Sequence, residues 1–262
     1  MTDGTVRLAI DAGVASVVFD RPQARNAMTW AMYEALGAIC ERLAGDASVR
    51  VATFRGAGGA AFVAGTDIEQ FRHFGAGANG GNDGVAYERR IETGIALIES
   101  LPMPTVAVVE GWAVGGGLVI ASACDFRIGT PAARLGVPIA RTLGNCLSVA
   151  NLARLVAAFG RTRVQRMLIA AEMLGADEAL ACGYLTQVVA APALDSAVAD
   201  YCRHLAALAP VTQAVTKEAL RRLLAAQLPE ADDLIRRSYG SDDFREGIDA
   251  FTGKRSPAWR GR

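Results

Sequence analysis

The stretch from Thr105 to Gly117 constrains the fold most tightly. An apolar run, Thr105 to Val109, leads within a few residues into Gly115-Gly116-Gly117, and a second apolar run follows. Proline at 102 and 104 closes whatever precedes it, and the spacing before those prolines predicts a helix from about Val85 to Leu101. The unit is therefore helix, strand, glycine turn, helix. Upstream, Val6 to Ile10 and Val14 to Phe19 read as a hairpin around Asp11-Ala12-Gly13, ended by Arg21-Pro22. Thr29 can cap a helix carrying Met32, Leu36, Ile39, Cys40 and Leu43 on one side, and Val49 to Phe54 reads as a buried strand. Alternating strands and helices predict an α/β fold with a mainly parallel sheet. Beyond Gly160 the pattern is almost wholly helical, near 161 to 171, 192 to 208, 212 to 226 and 241 to 252, with a change of domain near residue 195.

With 262 residues and 52% hydrophobic content, the chain can bury one substantial α/β core and still supply a smaller helical appendage. Lys plus Arg equals Asp plus Glu at 27 each, so no net field draws it to nucleic acid or an anionic membrane. An anionic ligand would need a local basic site. Cys40, Cys124, Cys146, Cys182 and Cys202 are scattered, odd in number and without a C-x-x-C pair, which argues against a disulfide framework or a zinc site and for a reducing cytoplasm. Met1 to Ile10 lacks the pattern of a secretory leader, and no apolar run approaches the roughly 20 residues of a membrane span.

Two turns carry chemistry. At Gly115-Gly116-Gly117, bare backbone N–H groups at a helix start can hold a developing oxyanion, although close helix-to-sheet packing asks for glycine too. Ala61-Phe62-Val63-Ala64-Gly65-Thr66-Asp67-Ile68 is a second small-residue turn, with an acidic residue placed to cap or begin a short helix, and it can supply the other donor. Between the two motif-bearing segments, the glycine-rich stretch 75–84 reads as a mobile surface loop, either a tolerated connection or an active-site flap.

The segment Phe62-Val63-Ala64-Gly65-Thr66-Asp67-Ile68 resembles the F-x-A-G-A-D-I motif of the crotonase (enoyl-CoA hydratase/isomerase) family. Arg21-Pro22-Gln23-Ala24-Arg25-Asn26-Ala27 is similar to its R-P-x-x-x-N-A segment, and Gly111 to Gly117 and Cys124-Asp125 to its G-x-x-x-G-G-G and C-D elements. Glu246 to Phe251 with Lys254-Arg255 resembles its tail, so the match spans nearly the whole chain in order. The resemblance implies a crotonase-like spiral (ββα) core over residues 1–195. It also implies a C-terminal helical trimerisation region over 196–262, in a homotrimer or a dimer of trimers. It further implies an acyl-CoA substrate, no permanently bound cofactor beyond the coenzyme A of that thioester, and an enolate held by the backbone N–H groups of Thr66 and Gly116. Preorganised amides of this kind stabilise such charge by roughly 3 to 4 kcal/mol. CoA would run past backbone atoms of Arg25, Ala27, Ala64 and Ile68. Gly59 and Ala60 stand where the family often has a basic residue, so the phosphates would fall to Arg25 or to a neighbouring subunit's Lys254, which can equally be a solvated tail lysine.

The resemblance fails at two positions. The family's hydratases carry one glutamate two residues after the triple glycine and another directly after a downstream proline, and here these positions are Val119 and Ile139. Neither can do the acid/base work of hydration, each step of which is typically worth about 10²- to 10⁴-fold. Asn145 or Cys146, in a stretch from Arg141 to Ser148 that replaces a glycine-rich family segment, can orient a reacting group, with Arg141 facing a carboxylated acyl chain. The same stretch can instead supply a helix N-cap and a buried thiol. His73, close to the oxyanion turn, is a further acid/base candidate, whereas His204 reads as a packed or surface residue. The expected activity is acyl-CoA chemistry through an enolate, with decarboxylase, thioesterase, C–C lyase and isomerase reactions open. A CoA-thioester binding protein without catalysis is the contrasting expectation.

Overall fold

The computed structural model describes residues 4–226 and 228–261. The first residues of the expected leader-free N-terminus and the last of the expected tail lie outside them. Strands β1 (Thr5–Asp11) and β2 (Val14–Asp20) form the opening hairpin, and α1 (Trp30–Ala44) begins at Thr29, whose side chain accepts from the Met32 N–H. Three strand pairs then follow, and their members enter different sheets. These are β3 (Val51–Gly56) and β4 (Ala61–Ala64), then β5 (Thr105–Val109) and β6 (Trp112–Val114) after helix α2 (Ala78–Glu99), then β7 (Phe126–Gly129) and β8 (Arg134–Gly136) after helix α3 (Gly116–Ala123). The first member of each pair joins one sheet, ordered β1-β2-β3-β5-β7 and parallel after the hairpin, and the second joins another, ordered β4-β6-β8. Each strand–strand–helix repeat thus winds once around a shared interior, which is the spiral.

The remaining elements are almost all helical: α4 (Ile139–Thr142), α5 (Val149–Phe159), α6 (Arg161–Leu168), α7 (Ala176–Ala181), α8 (Leu194–Ala206), α9 (Pro210–Ala225), α10 (Asp232–Tyr239) and α11 (Asp242–Thr252). Two short strands interrupt this series: β9 (Leu174–Gly175) pairs antiparallel with β8, and β10 (Gln187–Val188) closes the larger sheet beside β7. Helical periodicity alone missed them, because a two-residue strand carries no period. Along β5, Ala107 and Val109 face the main core while Val106 and Val108 face a second cluster with Leu194, Cys202 and Leu205 of α8. That two-residue alternation buries both faces of the sheet, as a parallel sheet requires. Residues from 194 on therefore complete the sheet's second core before the chain continues into α9, which carries no buried residue.

The glycine-rich stretch is not a loop throughout. Helix α2 starts at Ala78, and Gly80, Gly81 and Gly84 are buried against α10. A Cβ on Gly84 would overlap the Tyr239 ring, and one on Gly81 would lie 2.8 Å from the Arg236 carbonyl. The glycines let two helices approach closely, so a composition typical of disorder serves packing here. Helix α10, the partner that makes this intelligible, is absent from the sequence reading.

Candidate active site

The first glycine turn leaves β4 at Ala64 and is clamped from below. Asn26 donates to the carbonyls of Ala57 (3.0 Å) and Ala61 (2.9 Å) and accepts from the Arg21 N–H, while Ala64 N–H donates to the Arg25 carbonyl at 3.0 Å. Met28 bridges to Thr66 in parallel fashion, with Met28 N–H on the Gly65 carbonyl and Asp67 N–H on the Met28 carbonyl, both 2.9 Å. Such a bridge uses the groups flanking Thr66 and leaves the N–H of Thr66 itself out of it. Asp67 then caps a 3-10 helix (Ile68–His73), its carboxylate accepting from Glu69 N–H at 3.2 Å and paired with Arg21 at 2.7 Å.

The second turn divides its three glycines between packing and chemistry. Gly115 is the N-cap of α3 at φ 56°, a backbone that favours glycine, and its N–H is held by the Gly136 carbonyl at 3.0 Å. A Cβ on Gly117 would overlap the Val63 carbonyl, so this position is consumed by helix-to-strand contact. Gly116 faces the site: a Cβ there would lie 3.1 Å from Tyr33 Oη and 3.5 Å from Thr66 Oγ1. As the first residue of α3, Gly116 has an N–H with no acceptor earlier in its helix.

Both turns open on an inner cavity of about 160 Å³, walled also by Glu88, Val119, Ile139 and Asn145. It adjoins an outer chamber of about 610 Å³, with which it shares Ala64, Thr66, Ile68, Val114, Pro138 and Phe251. Arg25, Ala27, Ala64, Ile68 and Lys254 all line the outer chamber, together with Arg21 and Arg141. Arg25 lies 5.8 Å over the Trp112 ring. Lys254 lines the chamber of its own chain, beside Phe251 and Thr252. It reaches this position because α11 folds back against the 3-10 helix after the first turn.

Thr66, Gly116 and Asn145 line the inner cavity, and Cys146 does not. Cys146 faces a separate, mainly apolar cavity of about 500 Å³ between α5, α6 and α10. Burial, reinforced by the nearby Glu88 charge, pushes its thiol up to about 12, which keeps it protonated. His73 is exposed at the end of its 3-10 helix and lines neither chamber, and His204 is exposed on α8. Ser148 caps α5 through the Asn151 N–H.

Two features escaped the sequence. Thr66 Oγ1 lies 2.9 Å from both Tyr33 Oη and Tyr87 Oη, and burial pushes the Tyr33 phenol up to about 12 and Tyr87 well above its ordinary value. The second is Glu88. It is 2% exposed, and its carboxylate accepts from Tyr239 Oη at 2.7 Å and from Ser148 N–H at 2.8 Å. Burial, partly offset by those hydrogen bonds and one involving Asn151, pushes it up to about 7. Its signal was visible: Val85, Glu88, Ile91, Ile95 and Ile98 share the buried stripe of α2, a charged residue where the helix period demands an apolar one.

The fold, with two glycine turns meeting at a chambered cavity, defines a spiral α/β protein. Comparison with known proteins agrees. The family model described as enoyl-CoA hydratase/isomerase matches residues 9–262. The (E)-benzylidenesuccinyl-CoA hydratase of Thauera aromatica is 30% identical over 264 residues, covering 98% of this chain and 99% of that protein. The carnitinyl-CoA dehydratase of Proteus mirabilis is 30% identical over 266 residues, with 98% and 99% covered. Among solved structures, methylmalonyl-CoA decarboxylase in complex with 2-nitronate-propionyl-CoA superposes with a TM-score of 0.88 at 26% identity, covering 98% of both chains. An enoyl-CoA hydratase/carnithine racemase from Magnetospirillum magneticum gives 0.78 at 29%, covering 98% of this chain and 96% of that one. The chain belongs to the enoyl-CoA hydratase/isomerase family, whose enzymes act on CoA thioesters.

Proposed function

We propose that this protein is an enzyme that turns over an acyl-CoA through an enolate, its thioester oxygen held by the N–H groups of Thr66 and Gly116. The observation that carries this reading is the meeting of both turns at the junction of two chambers. The outer one suits the coenzyme, with Arg25, Arg141 and Lys254 available to its phosphates. The inner one suits a small acyl group. Both family glutamate positions are apolar and both, Val119 and Ile139, wall the inner cavity, so ordinary two-glutamate hydration has no apparatus there.

A reaction that makes its enolate by losing carbon dioxide needs no base for that step. The likeness to methylmalonyl-CoA decarboxylase supports a carboxylated acyl-CoA as a second reading, with Arg141 as its charge partner. Thioester hydrolysis and C–C cleavage share the same oxyanion requirement. Asn145, on the inner cavity, is the polar residue from the expected stretch that remains a candidate for orienting the acyl group. Assembly as a trimer or a dimer of trimers is supported by the exposed Val211, Val215, Leu220 and Leu223 of α9, and five free cysteines suit a reducing cytoplasm.

Incubation with a panel of enoyl-, acyl- and carboxyacyl-CoA compounds, followed by mass spectrometry, tests the proposal. Turnover of at least one member is expected, with crotonyl-CoA hydrated at least about 10⁴-fold more slowly than by a two-glutamate hydratase. Binding without any product would show a CoA-thioester binding protein instead.

A further inference from the structure

We infer that Glu88 is the base and acid that removes and returns a proton at the carbon α to the thioester, an inference that rests on the enolate reading above. Glu88 is the one carboxylate among the described residues lining the inner cavity that holds Thr66 and Gly116. No arginine or lysine pairs with it among the described residues. A buried carboxylate without a cation is costly, and its hydrogen bonds with Tyr239, Ser148 and Asn151 offset only part of that cost. A residue retained at that cost, on the wall of a ligand-sized cavity, marks a functional group.

Its surroundings are arranged for proton exchange. The Tyr239 hydroxyl has one proton, which it gives to Glu88 at 2.7 Å, so it must accept from Asn145 Nδ2 at 3.1 Å. That fixes the Asn145 amide and leaves its Oδ1 buried without a partner, an acceptor free for a substrate group or a water. Asn145 and Tyr239 are thus positioning residues for Glu88. The titratable groups around Glu88 are Tyr33 from α1, Tyr87 and Glu92 from α2, Tyr239 from α10 and Cys146 before α5, with the neutral Ser148 and Asn151 from α5. The tyrosines and the thiol stay protonated, so Glu88 alone among the cavity walls changes charge near neutrality. On its other side it borders a groove of about 810 Å³ with Glu92 and Ser148, through which its proton can exchange with solvent.

The step balances without a further reactant. The Cα–H bond breaks, its proton forms an O–H bond on Glu88, and the electron pair moves into the thioester carbonyl, whose oxygen becomes the anion held by the two amides. Reversal returns a proton, or a solvent deuteron once Glu88 has exchanged. The test uses the full chain with butyryl-CoA in D₂O, following α-deuterium by mass spectrometry across about pH 5 to 9, with thioester binding measured separately by calorimetry. Wild type should incorporate deuterium with a rate that rises through about pH 7 and then levels. Glu88→Gln should bind butyryl-CoA and exchange at least about 100-fold more slowly. Tyr239→Phe, which deprives the carboxylate of a stabilising donor, should move the inflection to higher pH. Exchange by Glu88→Gln at the wild-type rate would overturn the inference, as would wild type that binds the thioester without exchange. Should Glu88→Gln fail to fold, a wild-type rate independent of pH or an inflection unmoved in Tyr239→Phe overturns it. Failure of wild type to bind butyryl-CoA at all would sink the enolate reading itself.

Discussion

Burying Glu88 beside three tyrosines has a consequence for stability that can be separated from catalysis. In the unfolded chain this carboxyl titrates near 4.5, and in the folded protein near 7, because burial disfavours the charged form. Between those values the folded state binds more protons, so stability is lost as pH rises through the window, by on the order of 3 kcal/mol once complete. Glu88→Gln removes that titration. Its melting temperature should exceed wild type by several degrees at about pH 8, and the gain should shrink towards zero below about pH 5. A Tm difference of the same size at both pH values would contradict this account. At this scale the sequence was legible where backbone geometry restricts residue choice. The two glycine turns announced themselves, while Thr66, Gly116 and the residues of the outer chamber were singled out through the family resemblance, and the clamp made by Asn26 is visible only in the structure. Glu88 was not singled out, because a charged residue in a helix ordinarily faces water; its place on the apolar stripe of α2 was the one signal, and the contacts with Tyr239 and Ser148 show that it is buried.

Helix α2 and helix α10 meet through glycine, and that seam positions the Glu88 and Tyr239 side chains relative to each other. Gly84→Val would drive a branched side chain into the Tyr239 ring, and overpacking of this kind costs typically about 1 to 3 kcal/mol. Chemical denaturation should show a loss in that range, whereas Gly94→Val, on the same helix with nothing within 4 Å of the added Cβ, should lose nothing, because valine is a slightly better helix former than glycine. Equal losses would mean that the seam is slack. Four strands and most helices were legible because each carries its own period, cap, breaker or apolar run: Thr29 for α1, Pro102 and Pro104 after α2, the unbroken apolar run of β5. Helix α10 is eight residues long and makes sense only against α2, and the glycines opposite it mimic a disordered linker in composition. Local pattern and tertiary role disagree there, and the tertiary role decides.

For the whole molecule, the mainly parallel pairing was implied by alternating strands and helices, but the division of successive strands between two sheets was not, since the second strand of each pair is too short to carry a period. The destination of the tail was likewise invisible. The resemblance assigned Lys254 to a CoA site, and in the structure Lys254 lines the outer chamber of its own chain. The proposed assembly face is the exposed apolar residues of α9. Light scattering at micromolar concentration should give a trimer or hexamer, and Val215→Glu with Leu223→Glu should shift it towards monomer. A wild-type monomer would contradict this assignment of α9.

The central claim, an enolate held by the N–H groups of Thr66 and Gly116, is tested most directly by α-deuterium exchange into butyryl-CoA with Gly116→Val. Gly116 has an ordinary backbone conformation and faces the cavity, so the variant should fold, yet its side chain occupies the place of the thioester oxygen. The account predicts a folded protein whose exchange falls at least about 100-fold below wild type. A folded Gly116→Val that exchanges at the wild-type rate would show that the thioester oxygen lies elsewhere.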